Sequence, residues 1–278
     1  LANIAGAADA SAMRLVSAGC IGEDVAMGAH RLHAIVLAGG GGRRLGGASK
    51  ADLDIAGRRL LERVLTGLDG VVDGLRVVVA PPSVRVPRGV LRTLEDPPHG
   101  GPLAGIGAGM DALGAVAGSA SAADERVLVV SVDTPGVARL ARLLVAAMDR
   151  AEARREEPAP GWDGTPPRGR AFHAGSGPGP QSAPAQGRRA DGALILGGEP
   201  RPFRQYLQAV YRCDALRSAL EGAGALRGRA VGRTLRGMRL VEVPVRAGLC
   251  RDLDTPGDLE FWRGRFAASA DADAAPDG

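Results

Sequence analysis

One stretch decides how this chain folds, and it reads His33-Ala34-Ile35-Val36-Leu37-Ala38-Gly39-Gly40-Gly41-Gly42-Arg43-Arg44-Leu45-Gly46-Gly47-Ala48-Ser49-Lys50. Its apolar first part predicts a strand that is buried on both faces, which is typical of a parallel sheet covered by helices. The run of glycines has no Cβ atoms, so several backbone N–H groups can lie close to an anion. The stretch therefore predicts a strand that leads into an anion-binding loop.

Lys50, the last residue of this loop, is the only lysine in a chain with 35 lysine and arginine residues. An ammonium is a compact point charge, whereas a guanidinium is a wide planar fork. A glycine-rich loop that closes around phosphates accommodates the ammonium more readily. The alternative is a single solvated lysine in a chain whose preference for arginine reflects codon bias.

Two familiar phosphate-binding loops do not match the stretch. The dinucleotide fingerprint needs glycines at the first, third and sixth positions, and no start within the glycine run satisfies it. The P-loop needs Lys after Gly and before Ser or Thr, but Lys50 lies between Ser49 and Ala51. What remains is a longer loop that carries two arginines and ends in a lysine, for which the alternative is a plain glycine-rich turn.

Outward from this stretch, short apolar runs alternate with helical patterns, which predicts an α/β fold. We expect a single Rossmann-like, doubly wound domain with a mostly parallel sheet and helices on both faces. The predicted strands are 34–37, 75–80, 90–94, 127–132, 192–196, 208–212 and 240–243. The predicted helices are 58–68, 101–113, 137–148, 214–220 and a last one from about 255 to 266.

The domain organisation follows from changes in composition. Residues 1–32 are rich in Ala and Gly and predict a loose leader, and residues 33–266 form the predicted domain. Residues 152–190 are rich in Pro, Gly and Arg and cannot bury enough apolar surface to order, so we expect a disordered insertion there. The small, acidic residues 267–278 predict a disordered tail.

Composition excludes several classes of function. The formal charge is +4, but the arginines are dispersed and aromatics make up only 3%, so no nucleic-acid partner is expected. No apolar run is long enough to span a membrane, and no signal peptide is visible, which predicts a cytoplasmic protein without a membrane partner. Cys20, Cys213 and Cys250 lack metal-ligand spacing and are interpreted as free thiols. His30 and His33 have no partner set for a metal.

Four segments, taken together, resemble the molybdenum cofactor guanylyltransferase family, within the wider group of nucleotidyltransferases with a glycine-rich loop. Each segment is weakly specific alone, but they occur in the family's order across residues 33–150 and 191–262. The first is the glycine-rich loop from Leu37 to Lys50, and the others are Glu95–Asp96 with Gly100–Gly105, Val129–Pro135, and Arg251–Leu259.

The resemblance implies an enzyme that moves GMP from GTP to a molybdenum-bound pterin phosphate and releases pyrophosphate, with Mg²⁺ as cofactor. It implies Lys50 and Arg44 as catalytic residues, with Arg44 holding the β- and γ-phosphates. Asp133 also follows an apolar strand, at the edge where open α/β sheets bind ligands, and is the candidate magnesium ligand. The implied nucleotide contacts are Leu37, Ala38, Gly39, Gly40, Lys50, Asp96 and Asp133, and the implied acceptor contacts are Asp252 and Asp254.

Three of the four acidic candidates also have a purely structural interpretation. Asp133 or Thr134 can cap a helix that starts near Pro135, and Asp254 can cap the last helix. Asp96 precedes two prolines and suits a turn. Arg43 is interpreted as a solvated loop residue.

Two other functions stay open at this point. One is a related nucleotidyltransferase that uses CTP or another acceptor, such as a sugar or lactyl phosphate. The other is a nucleotide-binding accessory protein without turnover, whose insertion recruits a partner. In addition, the resemblance implies a partner in molybdoenzyme maturation.

Overall fold

A seven-stranded sheet forms the centre of the molecule, with strand order β5-β4-β1-β6-β8-β7-β9. The computed structural model describes residues 30–40, 49–117, 125–156 and 189–273. The strands of this sheet are β1 (Leu32–Leu37), β4 (Arg76–Val79), β5 (Leu91–Thr93), β6 (Arg126–Ser131), β7 (Gly192–Gly197), β8 (Phe203–Arg212) and β9 (Leu240–Pro244). A separate antiparallel pair consists of β2 (Asp54–Ile55) and β3 (Arg58–Arg59).

Six α-helices accompany the strands in the described part of the chain. They are α1 (Leu60–Gly67), α2 (Pro102–Ala117), α3 (Val137–Glu156), α4 (Cys213–Ala223), α5 (Val231–Leu235) and α6 (Pro256–Asp273). Among the described residues, no helix combines the length and the apolar character needed to cross a bilayer.

The sheet is mixed, and its parallel half contains the glycine-rich segment. β1 lies between β4 and β6 and pairs with both in parallel, and β5 continues the parallel order at the edge. β8 is antiparallel to β6 and to β7, while β7 and β9 are again parallel. The carboxyl ends of β1, β4, β5 and β6 therefore lie along one edge of the sheet. The predicted α/β fold with a mostly parallel sheet is confirmed.

Both faces of the sheet are covered, because alternate residues of its central strands point to opposite sides. Ala34 and Val36 of β1 belong to the core under α1, α3 and α6, whereas Ile35 belongs to the core under α2, α4 and α5. All three side chains are fully buried. This explains why a continuous apolar run, rather than an alternating one, forms β1.

Several element boundaries differ from those predicted. The predicted insertion was placed too early, because α3 continues to Glu156. Glu152 and Asp149 in its last turns both pair with the buried Arg126 at the start of β6, which fixes that end of the helix. The predicted tail also began too early, since α6 continues to Asp273. Leu32, assigned to the leader, is a buried residue of β1.

The strand β8 is longer than the predicted 208–212. It begins at Phe203 because its first residues pair with β7 across a register shift between Leu194 and Ile195, a contact between distant segments that sequence patterns do not reveal. Residues 1–29, most of the proposed insertion and residues 274–278 lie outside the described residues.

Candidate functional site

Lys50 lies at the start of a short 3-10 helix, Lys50–Asp52, beside the carboxyl edge of the sheet. The neighbouring Ala51 is fully buried and anchors this turn in the core under α1. The backbone N–H of Leu53 donates to the carbonyl of Lys50 at 3.2 Å and closes the turn. The base of the lysine side chain is thereby held by packing and by the backbone.

The ammonium of Lys50 is shared by two carboxylates. Its Nζ lies 3.0 Å from Oδ2 of Asp133 and 2.5 Å from Oδ1 of Asp254. Only 12% of the lysine side chain is exposed, so this charge is largely removed from water. Burial alone lowers the pKa of Lys50, but the hydrogen bond to Asp254 and the charge of Asp133 outweigh it, and the pKa is raised above 10.5. The side chain is a cation throughout the neutral range.

Asp133 reaches Lys50 because it directly follows β6. The N–H of Val132 still donates to the carbonyl of Leu37 in β1 at 2.9 Å, and the chain then turns. The carbonyl of Asp133 accepts from the N–H of Leu253 at 2.8 Å, which joins this turn to the segment before α6. In the described structure, no hydrogen bond links the carboxylate of Asp133 or the hydroxyl of Thr134 to the first turn of α3. Because α3 begins at Val137, the residue directly before it is Gly136, and the alternative interpretation of Asp133 or Thr134 as its N-cap is wrong.

Asp252 faces inward, in contrast to Asp254. Its Oδ1 accepts from the hydroxyl of Thr134 at 3.0 Å and from Nε2 of Gln208 at 3.3 Å, and Nε2 also donates to Thr134 at 2.9 Å. Burial, reinforced by the charge of Asp133, raises the pKa of Asp252 to about 6. Gln208 was not singled out from the sequence. Its only signal was a polar side chain among the apolar residues of a predicted strand.

The glycine-rich segment leaves room for a ligand next to this cluster. Leu37 ends β1, and the buried Ala38 extends its pairing by donating to the carbonyl of Val79 at 2.8 Å. Among the described residues, a Cβ added at Gly39 or Gly40 would meet no heavy atom within 4 Å. No described atom therefore packs against either glycine at the carboxyl end of this central strand. The candidate Arg44, like Arg43, lies outside the described residues.

Asp96 lies apart from the lysine cluster. It follows β5 at the sheet edge and is exposed. Among the described residues, no hydrogen bond or ion pair joins Asp96 to Lys50 or its two carboxylates. The preceding Glu95 holds the next segment instead, since its Oε1 accepts from the N–H of Gly100 at 3.2 Å. The second predicted segment meets the first at another point, since a Cβ added at Gly105 would lie 3.2 Å from Cδ2 of Leu37.

Asp254 does not cap the last helix, as one interpretation of the sequence had it. The N-cap of α6 is Thr255, whose hydroxyl accepts from the N–H of Asp258 at 3.3 Å, while Oδ2 of Asp258 accepts from the N–H of Thr255 at 2.7 Å. This reciprocal pair is a capping box, with Pro256 at the first helical position. The cap leaves the carboxylate of Asp254 available to Lys50.

The oxygen donors at this edge suit a hard cation that is partly held by a substrate. Magnesium usually binds through one or two carboxylates, together with phosphate oxygens and water. Asp133 and Asp254 converge on one position, which Lys50 occupies with its ammonium. Within the described ranges, no group of three or more His, Cys, Asp or Glu side chains is arranged as a metal site. Two carboxylates that converge on one cation are of the kind that Mg²⁺ binds together with phosphate oxygens and water.

Comparisons with known proteins agree with this architecture. The model of the MobA-like NTP transferase domain matches residues 34–237. A molybdenum cofactor guanylyltransferase of Acidiphilium cryptum is 41% identical over 123 residues, which are 43% of this chain and 59% of that protein. The matched segment thus spans less than two thirds of the relative.

Two solved structures share the fold. The molybdopterin-guanine dinucleotide biosynthesis protein A of Archaeoglobus fulgidus has a TM-score of 0.50 at 19% identity, covering 85% of this chain and 99% of that one. The 2-C-methyl-D-erythritol 4-phosphate cytidylyltransferase of Thermus thermophilus has a TM-score of 0.51 at 21% identity, covering 84% and 98%. The match to this domain covers well over half of the chain. The chain therefore belongs to the MobA-like NTP transferase family.

Proposed function

We propose that this protein transfers a nucleoside monophosphate from a nucleoside triphosphate to a phosphorylated acceptor. The donor is GTP and the acceptor is the phosphate of a molybdenum-bound pterin. An acceptor oxygen attacks the α-phosphorus, the bond from that phosphorus to the oxygen bridging to the β-phosphate breaks, and pyrophosphate leaves. The observation that carries this proposal is the ammonium of Lys50 between Asp133 and Asp254, beside the open glycines Gly39 and Gly40.

Lys50 stabilises the negative charge that is redistributed over the phosphates during this displacement. Its raised pKa keeps it protonated at neutral pH, so no proton has to be gained before the reaction. At about 4 Å and an effective dielectric constant near 20, one such charge pair contributes roughly 4 kcal/mol. That is on the order of a thousandfold in rate if the contact forms fully only in the transition state.

The backbone around Gly39 and Gly40 binds the triphosphate, because neither glycine carries a side chain of its own that would block the approach. Arg44, with its planar fork, holds the leaving pyrophosphate. Asp96 contacts the base or ribose from the edge of the sheet. Asp254 orients the acceptor next to Lys50, and Asp252 supports it from the interior.

Asp133 is the residue that would hold Mg²⁺. When bound, the ion neutralises charge on the triphosphate and on the departing pyrophosphate. The carboxylate follows a buried strand and its backbone is tied to Leu253, so it is already fixed before a ligand arrives. Such preorganisation lowers the cost of binding a cation shared with the substrate.

We also propose a cytoplasmic location and a protein partner in molybdoenzyme maturation that receives the product. The location is supported by Cys213 and Cys250, which are free buried thiols and suit a reducing compartment.

The test is pyrophosphate release with purified protein, Mg²⁺, each of GTP, CTP, ATP and UTP, and a pterin phosphate acceptor. We expect release with GTP only when the acceptor is present. Pyrophosphate release with CTP, or with a sugar or lactyl phosphate as acceptor, would show that the reaction is the proposed one but that its substrates are different. A nucleotide-dependent rise in melting temperature without release with any acceptor would favour an accessory protein without turnover.

A further inference from the structure

Gln208 is a buried polar residue in the middle of the sheet. It lies on β8 opposite Val130 of β6, and only 3% of it is exposed. A primary amide is costly to bury unless it forms hydrogen bonds. Here Nε2 donates to Thr134 Oγ1 and to Asp252 Oδ1, whereas Oε1 has no hydrogen-bond partner among the described atoms. Among the described atoms, this amide therefore forms hydrogen bonds through its nitrogen alone.

Three separate chain segments meet at this nitrogen. Gln208 belongs to β8, the fully buried Thr134 to the turn after β6, and Asp252 to the segment before α6. The hydroxyl of Thr134 also donates to Asp252 at 3.0 Å, so the three side chains form a closed triangle of hydrogen bonds. Of the two carboxylates that hold Lys50, Asp133 directly precedes Thr134 and Asp254 lies two residues after Asp252.

The geometry points to Gln208 as a positioning residue, which holds the turn after β6 and the segment before α6 at the separation where Asp133 and Asp254 both reach Lys50. Its effect on catalysis rests on the proposed function, but its effect on Lys50 does not. Gln208 touches no substrate and acts through Thr134 and Asp252. Where catalytic groups depend on such placement, a shift of about 1 Å costs roughly 100-fold in rate.

The same strand supplies a matched control. Gln205 is also a buried glutamine of β8, with 8% exposure, but within the described structure the one hydrogen bond of its Nε2 goes to the carbonyl of Gly197, at 3.4 Å. We compare Gln208→Leu with Gln205→Leu in the pyrophosphate-release assay. For Gln208→Leu we expect kcat to fall about 10- to 100-fold with KM for the nucleotide within about threefold of wild type, because the phosphate-binding backbone is untouched. Gln205→Leu should stay within about threefold of wild type in both.

A second measurement separates positioning from catalysis. Since Lys50 is the only lysine, protein labelled with ¹³C-lysine gives one side-chain Cε resonance, whose chemical shift and line width at pH 7 report the environment of Lys50 without any substrate. We expect Gln208→Leu to move this resonance toward its position in the unfolded protein and Gln205→Leu to leave it unchanged. If no substrate pair supports turnover, the proposed function fails, but the resonance still decides the role of Gln208.

The last part of the test measures the energetic coupling between Gln208 and Thr134. Thr134→Val should reduce kcat as Gln208→Leu does, Thr134→Ser should recover most of that loss, and the double variant Gln208→Leu/Thr134→Val should be less than additive. An unchanged Lys50 resonance and kcat in Gln208→Leu, or an equal change in Gln205→Leu, would overturn the inference. If Gln208→Leu does not fold, the Lys50 resonance of Thr134→Val compared with that of Thr134→Ser decides it.

Discussion

The ammonium nitrogen of Lys50 lies 3.0 Å from Oδ2 of Asp133, although the two residues are 83 positions apart. The carboxylate of Asp254, 204 positions from Lys50, contacts the same nitrogen. Each carboxylate offsets the loss of hydration of the buried ammonium, and the ammonium in turn relieves repulsion between the carboxylates. A change at any of the three therefore alters both the charge and the shape of the site.

Replacement of Lys50 should remove activity and leave the fold intact. We expect Lys50→Ala to lower kcat by several hundredfold or more, as the loss of roughly 4 kcal/mol of charge stabilisation implies. Lys50→Arg should recover only a small part, because the wide guanidinium does not fit the position of an ammonium. Pyrophosphate release measures the effect, circular dichroism checks the fold, and Arg150→Ala, an exposed cation of α3, is the control. Near-normal turnover in Lys50→Ala would remove this residue from the mechanism.

Replacement of Asp133 should remove the effect of Mg²⁺ on nucleotide binding. In Asp133→Asn we expect kcat to fall roughly 100-fold or more, since one full charge next to the phosphates is lost. The extra rise in melting temperature that Mg²⁺ gives in the presence of GTP should also disappear. Asp69→Asn is the control, because Asp69 is an exposed carboxylate paired with Arg76 at 2.7 Å. A magnesium effect of wild-type size in Asp133→Asn would assign the ion to another residue.

The capping box of α6 should make stability depend on pH through Asp258. Burial alone raises the pKa of this carboxyl, but hydrogen bonds from Thr255 and Arg251 outweigh it and bring the pKa to about 2, below the ordinary 3.8. Because the pKa is depressed in the folded state, the stabilisation is complete above pH about 4 and is lost as the pH falls toward about 2.

We therefore expect Asp258→Asn to lower the free energy of unfolding by about 1 to 2 kcal/mol at pH 7. The difference from wild type should shrink in urea titrations at pH 3.5. Asp111→Asn, an exposed carboxylate on α2, should show no comparable loss. A difference that grew on acidification would contradict the sign of this linkage.

Two helical glycines should respond in opposite ways to alanine. A Cβ at Gly109 of α2 would lie 2.8 Å from Cγ2 of the fully buried Ile35 in β1, whereas a Cβ at Gly222 of α4 would meet nothing within 4 Å. We expect Gly109→Ala to destabilise the protein by about 1 to 3 kcal/mol through overpacking. Gly222→Ala should stabilise it by up to about 1 kcal/mol through helix propensity. The melting temperatures of the two variants test this prediction. Equal shifts in melting temperature would show that α2 can move away from the sheet.

Sequence patterns were sufficient where local composition controls structure. The run that became β1 is apolar on both faces, so only a covered central strand can accommodate it. The start of α6 was predicted near Thr255 and Pro256, since Pro suits the first helical turn, although the sequence analysis named Asp254 and not Thr255 as the cap. The patterns did not locate the end of α3, which depends on ion pairs between Glu152, Asp149 and the distant Arg126.

The candidate site divides in the same way. The glycines, the lone lysine and the acidic residues at strand ends could be selected by residue type and position. The different roles of Asp252 and Asp254 could not, because both lie in one short acidic segment with equivalent chemistry. Only the fold turns Asp252 inward to Thr134 and Gln208 and leaves Asp254 beside Lys50.

The amino-acid order by itself determined that a buried parallel strand enters a glycine-rich loop, and that one ammonium ends this loop. Hydrophobic periodicity and the missing Cβ atoms act over a few residues, so their effects can be predicted from the sequence without a structure. Tertiary structure alone decided which carboxylates contact that ammonium and which buried amide holds their segments in place. Ion pairs and hydrogen bonds require atoms within about 3 Å, and for residues up to 204 positions apart only the folded sheet can bring them so close.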